Sequence, residues 1–113
     1  MQDSVMMKEL TDELKAWVRV HHLEERTIAF FWDYVEGYRN AEPQEFAEVF
    51  PEFVREAIAL KIVCVDYCTS YLQGKSDFVV ARIQIEHRQQ RVGWLDVVYT
   101  LSGEYLTDTC YFE

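Results

Sequence analysis

The sequence predicts an α+β fold in which N-terminal helices pack on a curved four-stranded antiparallel meander, and three observations carry that prediction. Up to about Leu60 the apolar residues recur every three or four positions; from Ile62 to Phe112 they alternate with polar ones; and the alternating half is cut by turn signals at Gln73-Gly-Lys-Ser, Arg88-Gln-Gln and Ser102-Gly103. The 113 residues are one domain's worth of chain, read as a helical half over residues 1–60 and a sheet over 61–113.

Met6, Leu10, Leu14, Trp17, Val18 and His21 share a helical stripe, which predicts a first helix over about residues 4–20. A second, over about 24–39, opens with Glu24 and Glu25, where negative charge suits the helix dipole. Its stripe of Phe30, Phe31, Tyr34, Val35 and Tyr38, widened by Ile28 and Trp32, calls for packing on two sides, the sheet on one and the first helix or a second subunit on the other. Pro43 suits the first turn of a short helix carrying Phe46, Val49 and Phe50. Pro51 then pre-sets another helix from Glu52 to Leu60, with Phe53, Val54 and Ala57 on its stripe.

The strands, rich in Val, Ile, Tyr, Phe and Thr, fall near residues 61–72, 77–87, 91–101 and 104–112. A two-residue loop at Ser102-Gly103 pairs Leu101 with Glu104, Tyr99 with Leu106, Val97 with Asp108 and Leu95 with Cys110. A three-residue loop at Arg88 to Gln90 pairs Ile83 with Leu95, Ala81 with Val97 and Val79 with Tyr99. This register gathers Val79, Ala81, Ile83, Ile85, Leu95, Val97, Tyr99, Leu101, Leu106, Cys110 and Phe112 on the face the helices cover. Two polar residues, Asp108 and His87, interrupt it. The other face carries Phe78, Trp94, Val98, Tyr105 and Tyr111 among threonines, with Arg82 across from Asp96. It is too aromatic to be left wholly in water, so these five residues are the expected surface of a homodimer.

Charge and cysteine content narrow the function classes. The net charge is −9, and over residues 1–60 Asp and Glu outnumber Lys and Arg by 13 to 6, against 7 to 5 afterwards. Such a surface repels a phosphate backbone, so no nucleic-acid partner is expected. The first ten residues carry acid where a signal peptide is basic, and no apolar run reaches the ~18 residues of a membrane span, which reads as a cytoplasmic protein without a membrane partner. Cys64, Cys68 and Cys110 are odd in number and read as free thiols of a reducing compartment. On a strand Cys64 and Cys68 share a face about 13 Å apart, too far to ligate one ion, and adjacent His21 and His22 point in different directions, so no metal is expected. No nucleotide-binding or cofactor-binding signature is present either, so none is expected.

A helical N-terminal half followed by a meander ending in Val97-Val-Tyr-Thr-Leu-Ser-Gly-Glu-Tyr-Leu-Thr-Asp-Thr-Cys-Tyr-Phe resembles the nuclear-transport-factor-2-like, cystatin-like α+β cones over about residues 24–113. The resemblance implies a curved sheet wrapped around a long helix to leave a conical pocket, in a superfamily of isomerases, epoxide hydrolases, cyclases and non-catalytic binding proteins, often dimeric through the outer sheet face. The chain departs from it in an extra leading helix and in lacking a short strand between the second and third helices. In such a cone Asp108 points into an apolar cavity as a general acid or base raised by desolvation, with Tyr99 beside it and His87 at the rim. The plainer alternative puts Asp108 at a bulge or open end, paired to an N–H or an arginine. The Asp-Arg-Asp set of epoxide hydrolases invites comparison with Asp66, Arg82 and Asp96, but this register turns Arg82 and Asp96 outward.

Three function classes follow: a non-catalytic protein binding a small apolar ligand or a protein partner as a dimer; a small isomerase, cyclase or hydrolase using Asp108; and an acidic adaptor or immunity-type protein acting through its charged helices on a basic partner.

Overall fold

Two nineteen-residue helices open the chain, α1 (Gln2–Val20) and α2 (Leu23–Ala41), joined at His22, whose φ of 52° reverses the direction. The computed structural model describes residues 2–113, with side chains from Lys8 onward, so Met6 of the predicted stripe lies outside the described side chains. A short α3 (Pro43–Val49) starts on its proline and ends at Phe50. The helix predicted from Glu52 to Leu60 does not form. Glu52 adopts a left-handed φ of 51° and Val54 is extended, so Pro51 starts a turn rather than a helix, followed by one 3₁₀ turn at Arg55–Ala57.

The sheet therefore begins three residues earlier than the predicted boundary at 61. Its strands β1 (Ile58–Cys68), β2 (Phe78–His87), β3 (Gln90–Thr100) and β4 (Tyr105–Phe112) form an antiparallel meander in the order β1-β2-β3-β4. β1 stops at Cys68 instead of Leu72 because Asp77 gathers the following loop, accepting from Tyr67 Oη at 2.6 Å and Ser70 N–H at 2.9 Å. Helices packed on one curved, open meander are the layout of the nuclear-transport-factor-2-like and cystatin-like folds.

The mid-strand register follows the hydrophobic alternation: Ile83 faces Leu95, Ala81 faces Val97, Val79 faces Tyr99, Leu95 faces Cys110 and Val97 faces Asp108. Both hairpin loops differ from expectation by one residue. Arg88 and Gln89 both take positive φ (53° and 68°), a two-residue turn, and a bulge between Ile85 and Glu86 restores the register. At the other hairpin Gly103 N–H donates to Thr100 C=O at 2.9 Å and Gly103 takes φ 88°, making a three-residue loop, and a bulge at Leu106 compensates.

The longer loop and its bulge change three expected placements. Tyr105, expected on the outer face, pairs with Tyr99 and turns inward, where it stacks on Phe30 with ring centroids 5.4 Å apart. Leu106 and Leu101, expected inside, are exposed.

α2 lies on the inner face with Leu23, Thr27, Phe31 and Val35 buried at four-residue spacing against Val79, Ala81, Ile83, Ile85, Leu95, Val97 and Tyr99. Its flanks reach both sides: Tyr38 stacks on Phe112 of β4 at 5.5 Å, and Trp32 lies under the Arg55 guanidinium at 4.1 Å. α1 is different. Among its described residues none is fully buried, and Leu10 is 59% exposed. Contacts of α1 with the core include the half-buried Trp17 and Val18.

Candidate functional site

The interior of the cone is filled. Phe50, fully buried, touches Phe46, Phe53, Phe112 and His87 at ring-centroid distances of 5.0 to 5.7 Å, and Phe31, also fully buried, packs edge-on to Trp32. These rings pack the interior between α2, α3 and the sheet.

Of the three residues singled out in the sequence, His87 lies apart, while Asp108, opposite Val97, is two strand positions from Tyr99 on the same face. His87 is buried in the aromatic box, stacked on Phe53, and Val54 N–H points at its Nε2 from 3.4 Å. Burial, with Arg88 adding to it, lowers its pKa, so it sits there as a neutral ring. Tyr99 is eight strand positions away through its partner Val79, about 26 Å at ~3.3 Å per residue. Thr27 Oγ1 donates its one proton to Leu23 C=O at 2.6 Å, so Tyr99 Oη is the donor in its 2.7 Å bond to Thr27. Burial is the main reason the Tyr99 phenol is held above its usual range.

Asp108 lies half-buried on the edge strand β4, opposite Val97, and accepts a hydrogen bond from Tyr105 Oη. Nearby, burial, with Cys110 and Asp108 adding to it, pushes Tyr34 up to about 12, and burial pushes Cys110 up to about 11. Tyr105, brought inward by the bulge, is the partner sequence reasoning missed. Nothing in the sequence marks which of Tyr105 and Leu106 is the extra residue.

On the outer face Arg82 and Asp96 form a bidentate pair at 2.7 and 2.8 Å, directly across the strands as expected. Cys64, Asp66 and Cys68 pair with Arg82, Val80 and Phe78 on that same face. Trp94 and Tyr111 are in tilted contact at 6.0 Å, but Arg82 and Arg91 both lie over the Trp94 ring, at 5.6 and 5.4 Å. With Tyr105 turned inward, the face is less apolar than the sequence implies.

Two grooves lie beside α1. One groove, about 560 Å³, runs between α1 and one end of the inner face, lined by Leu10, Leu14, Trp17, Tyr67, Val79 and Leu101, with Thr11 and Glu13 its other lining groups. Its walls are fixed: Trp17 Nε1–H donates to Leu101 C=O at 2.9 Å, the Trp17 ring packs on His21 at 4.6 Å, and His21 sits on Gly103, where any Cβ would overlap the imidazole. A second, about 570 Å³, separates α1 from the edge of β1. Asp108, Tyr99 and His87 line neither groove.

Among the described residues no three His, Cys, Asp or Glu side chains are placed to hold a metal ion, and no helix is long and apolar enough to cross a membrane. No family model, curated protein or solved structure matches the chain.

Proposed function

We propose that this chain is a non-catalytic binding protein that takes a small apolar ligand in the groove between α1 and the Tyr67, Val79, Leu101 end of the sheet. The observation that carries the reading is the groove's lining, five apolar side chains and one aromatic hydroxyl around about 560 Å³, a size that suits a small organic molecule. Among the described residues Glu13 is its one charged lining group, Thr11 adds a hydroxyl, and the Tyr67 hydroxyl is already engaged with Asp77, so selection rests mainly on shape and apolar area. Three free thiols accord with a reducing compartment, and we assign the protein to the cytoplasm.

N-phenylnaphthylamine fluorescence tests the site. The dye is expected to brighten with the native chain and to lose most of that signal with Leu101→Glu, a change at an exposed side chain that leaves the core intact. Equal brightening with Leu101→Glu removes the groove as the site.

A second reading keeps the outer sheet face as the surface of a homodimer, because Phe78, Trp94, Val98 and Tyr111 do lie together there. Val98→Asp is expected to yield monomers if that face is used; a change in no association property counts against it.

A further inference from the structure

β1 is one of the sheet's two edge strands, and the groove of about 570 Å³ beside it is lined in part by four consecutive residues, Ile62 to Val65. Val63, the extra residue of a bulge, breaks the alternation among these four, and β1 has a paired neighbour, β2, on one side only. The unpaired N–H and C=O groups of this edge strand lie beside a space whose other walls carry Leu14, Lys15, Val18 and Arg19 of α1 and Glu24 and Glu25 of α2.

The bulge in β1 decides what that edge matches. Before it Leu60 and Ile62 face inward, opposite Ile85 and Ile83, and Lys61 faces outward opposite Gln84. After it Val65 and Tyr67 face inward, opposite Ala81 and Val79, and Asp66 faces outward opposite Val80. Because Val63 is the extra residue, an antiparallel pairing of β1 with its own copy that runs across the bulge keeps inward residues with inward residues only when the segment before the bulge meets the segment after it. With the two-fold axis between Val63 and Cys64, Ile62 meets Val65 of the second copy, Leu60 meets Tyr67, and Lys61 meets Asp66, each twice. Lys61 and Asp66 are exposed and make no ion pair within the chain among the described residues.

We propose that a second copy of this chain pairs along β1 in this register, joining the two sheets into one of eight strands. The edge is self-complementary in face, in apolar content and in charge, and the partner strand fills the space that α1 leaves open. The inference does not rest on the ligand reading.

Sedimentation equilibrium at concentrations up to about 1 mM tests it. The native chain is expected at twice its 13.5 kDa. Lys61→Asp and Asp66→Lys each set like charges face to face at two places and are expected to weaken association about tenfold, while the double swap restores it to near the native value. Circular dichroism of each variant checks that these exposed substitutions leave the fold intact. A native chain that stays monomeric overturns the proposal. So does a dimer indifferent to both single swaps, and so does one that only Val98→Asp dissociates, which assigns association to the outer face.

Discussion

Replacing Phe50 by Ala asks whether the cone is filled. The ring is fully buried and meets four other rings, those of Phe46, Phe53, His87 and Phe112. Deleting it removes one phenyl group's transfer energy and leaves a cavity that the neighbours, anchored on α3, β2 and β4, close only in part. Such changes cost about 3–5 kcal/mol. Against a total of roughly 6–17 kcal/mol for a chain this long, the variant stays folded but lies far down its stability range. With an unfolding entropy of ~2.1 cal/mol/K per residue, a loss of about 4 kcal/mol lowers Tm by about 17 °C. Urea unfolding followed by circular dichroism gives the difference directly, and calorimetry gives the Tm. A loss below about 1.5 kcal/mol means that Phe50 borders open space, and the claim of a closed interior fails.

Gly103→Ala is expected to cost about 1–2 kcal/mol, because φ is 88° there and the new methyl displaces His21 from beside Trp17; thermal melts read the loss, and weaker dye binding accompanies it if the hairpin supports the groove. His87 makes stability fall in mild acid. Its folded pKa lies below the ordinary 6.5 because of burial, so below about pH 6.5 the unfolded chain binds the extra proton. The contribution is fully present above that pH and is lost as pH falls toward the folded value, with a slope of at most ~1.4 kcal/mol per pH unit. Urea midpoints compared at pH 7.5 and about pH 5.5 test it; a slope in His87→Gln equal to the native one places the acid sensitivity elsewhere. Replacing Arg82 with Met leaves Asp96, a partly buried carboxylate, without its bidentate partner and is expected to cost about 1 kcal/mol, less in high salt; an unchanged midpoint shows the pair to be solvated.

The meander was legible because one buried face specifies a period of two, and the pairing of Val79 with Tyr99, Ala81 with Val97 and Val97 with Asp108 follows from it. Turn lengths were not, since two non-glycine residues, Arg88 and Gln89, adopt positive φ where the sequence offers no glycine. Each mistaken turn was cancelled by a bulge, so the error stayed local and surfaced at Leu101, Tyr105 and Leu106. The segment from Glu52 to Leu60 satisfied a helical stripe through Phe53, Val54 and Ala57, yet a left-handed Glu52 and the pull of a β-branched run starting at Ile58 carried it into the sheet. The stripe of α2 was visible, but that Thr27 rather than Phe30 lies at its centre depends on the bond to Tyr99. The grooves beside α1 had no sequence signature at all: Leu10, Leu14 and Trp17 read as ordinary core, and only the distance at which the helix stands from the sheet turns them into a lining.

The most direct test of a filled cone with its binding site under α1 is an amide NMR titration of the labelled chain with naphthol, a small aromatic probe. The account predicts saturable shifts at Leu10, Leu14, Trp17, Tyr67, Val79 and Leu101, with the strand pair around Val97 and Asp108 unmoved. Shifts centred on Asp108, Cys110 and Tyr34 would place the ligand inside the cone and contradict it.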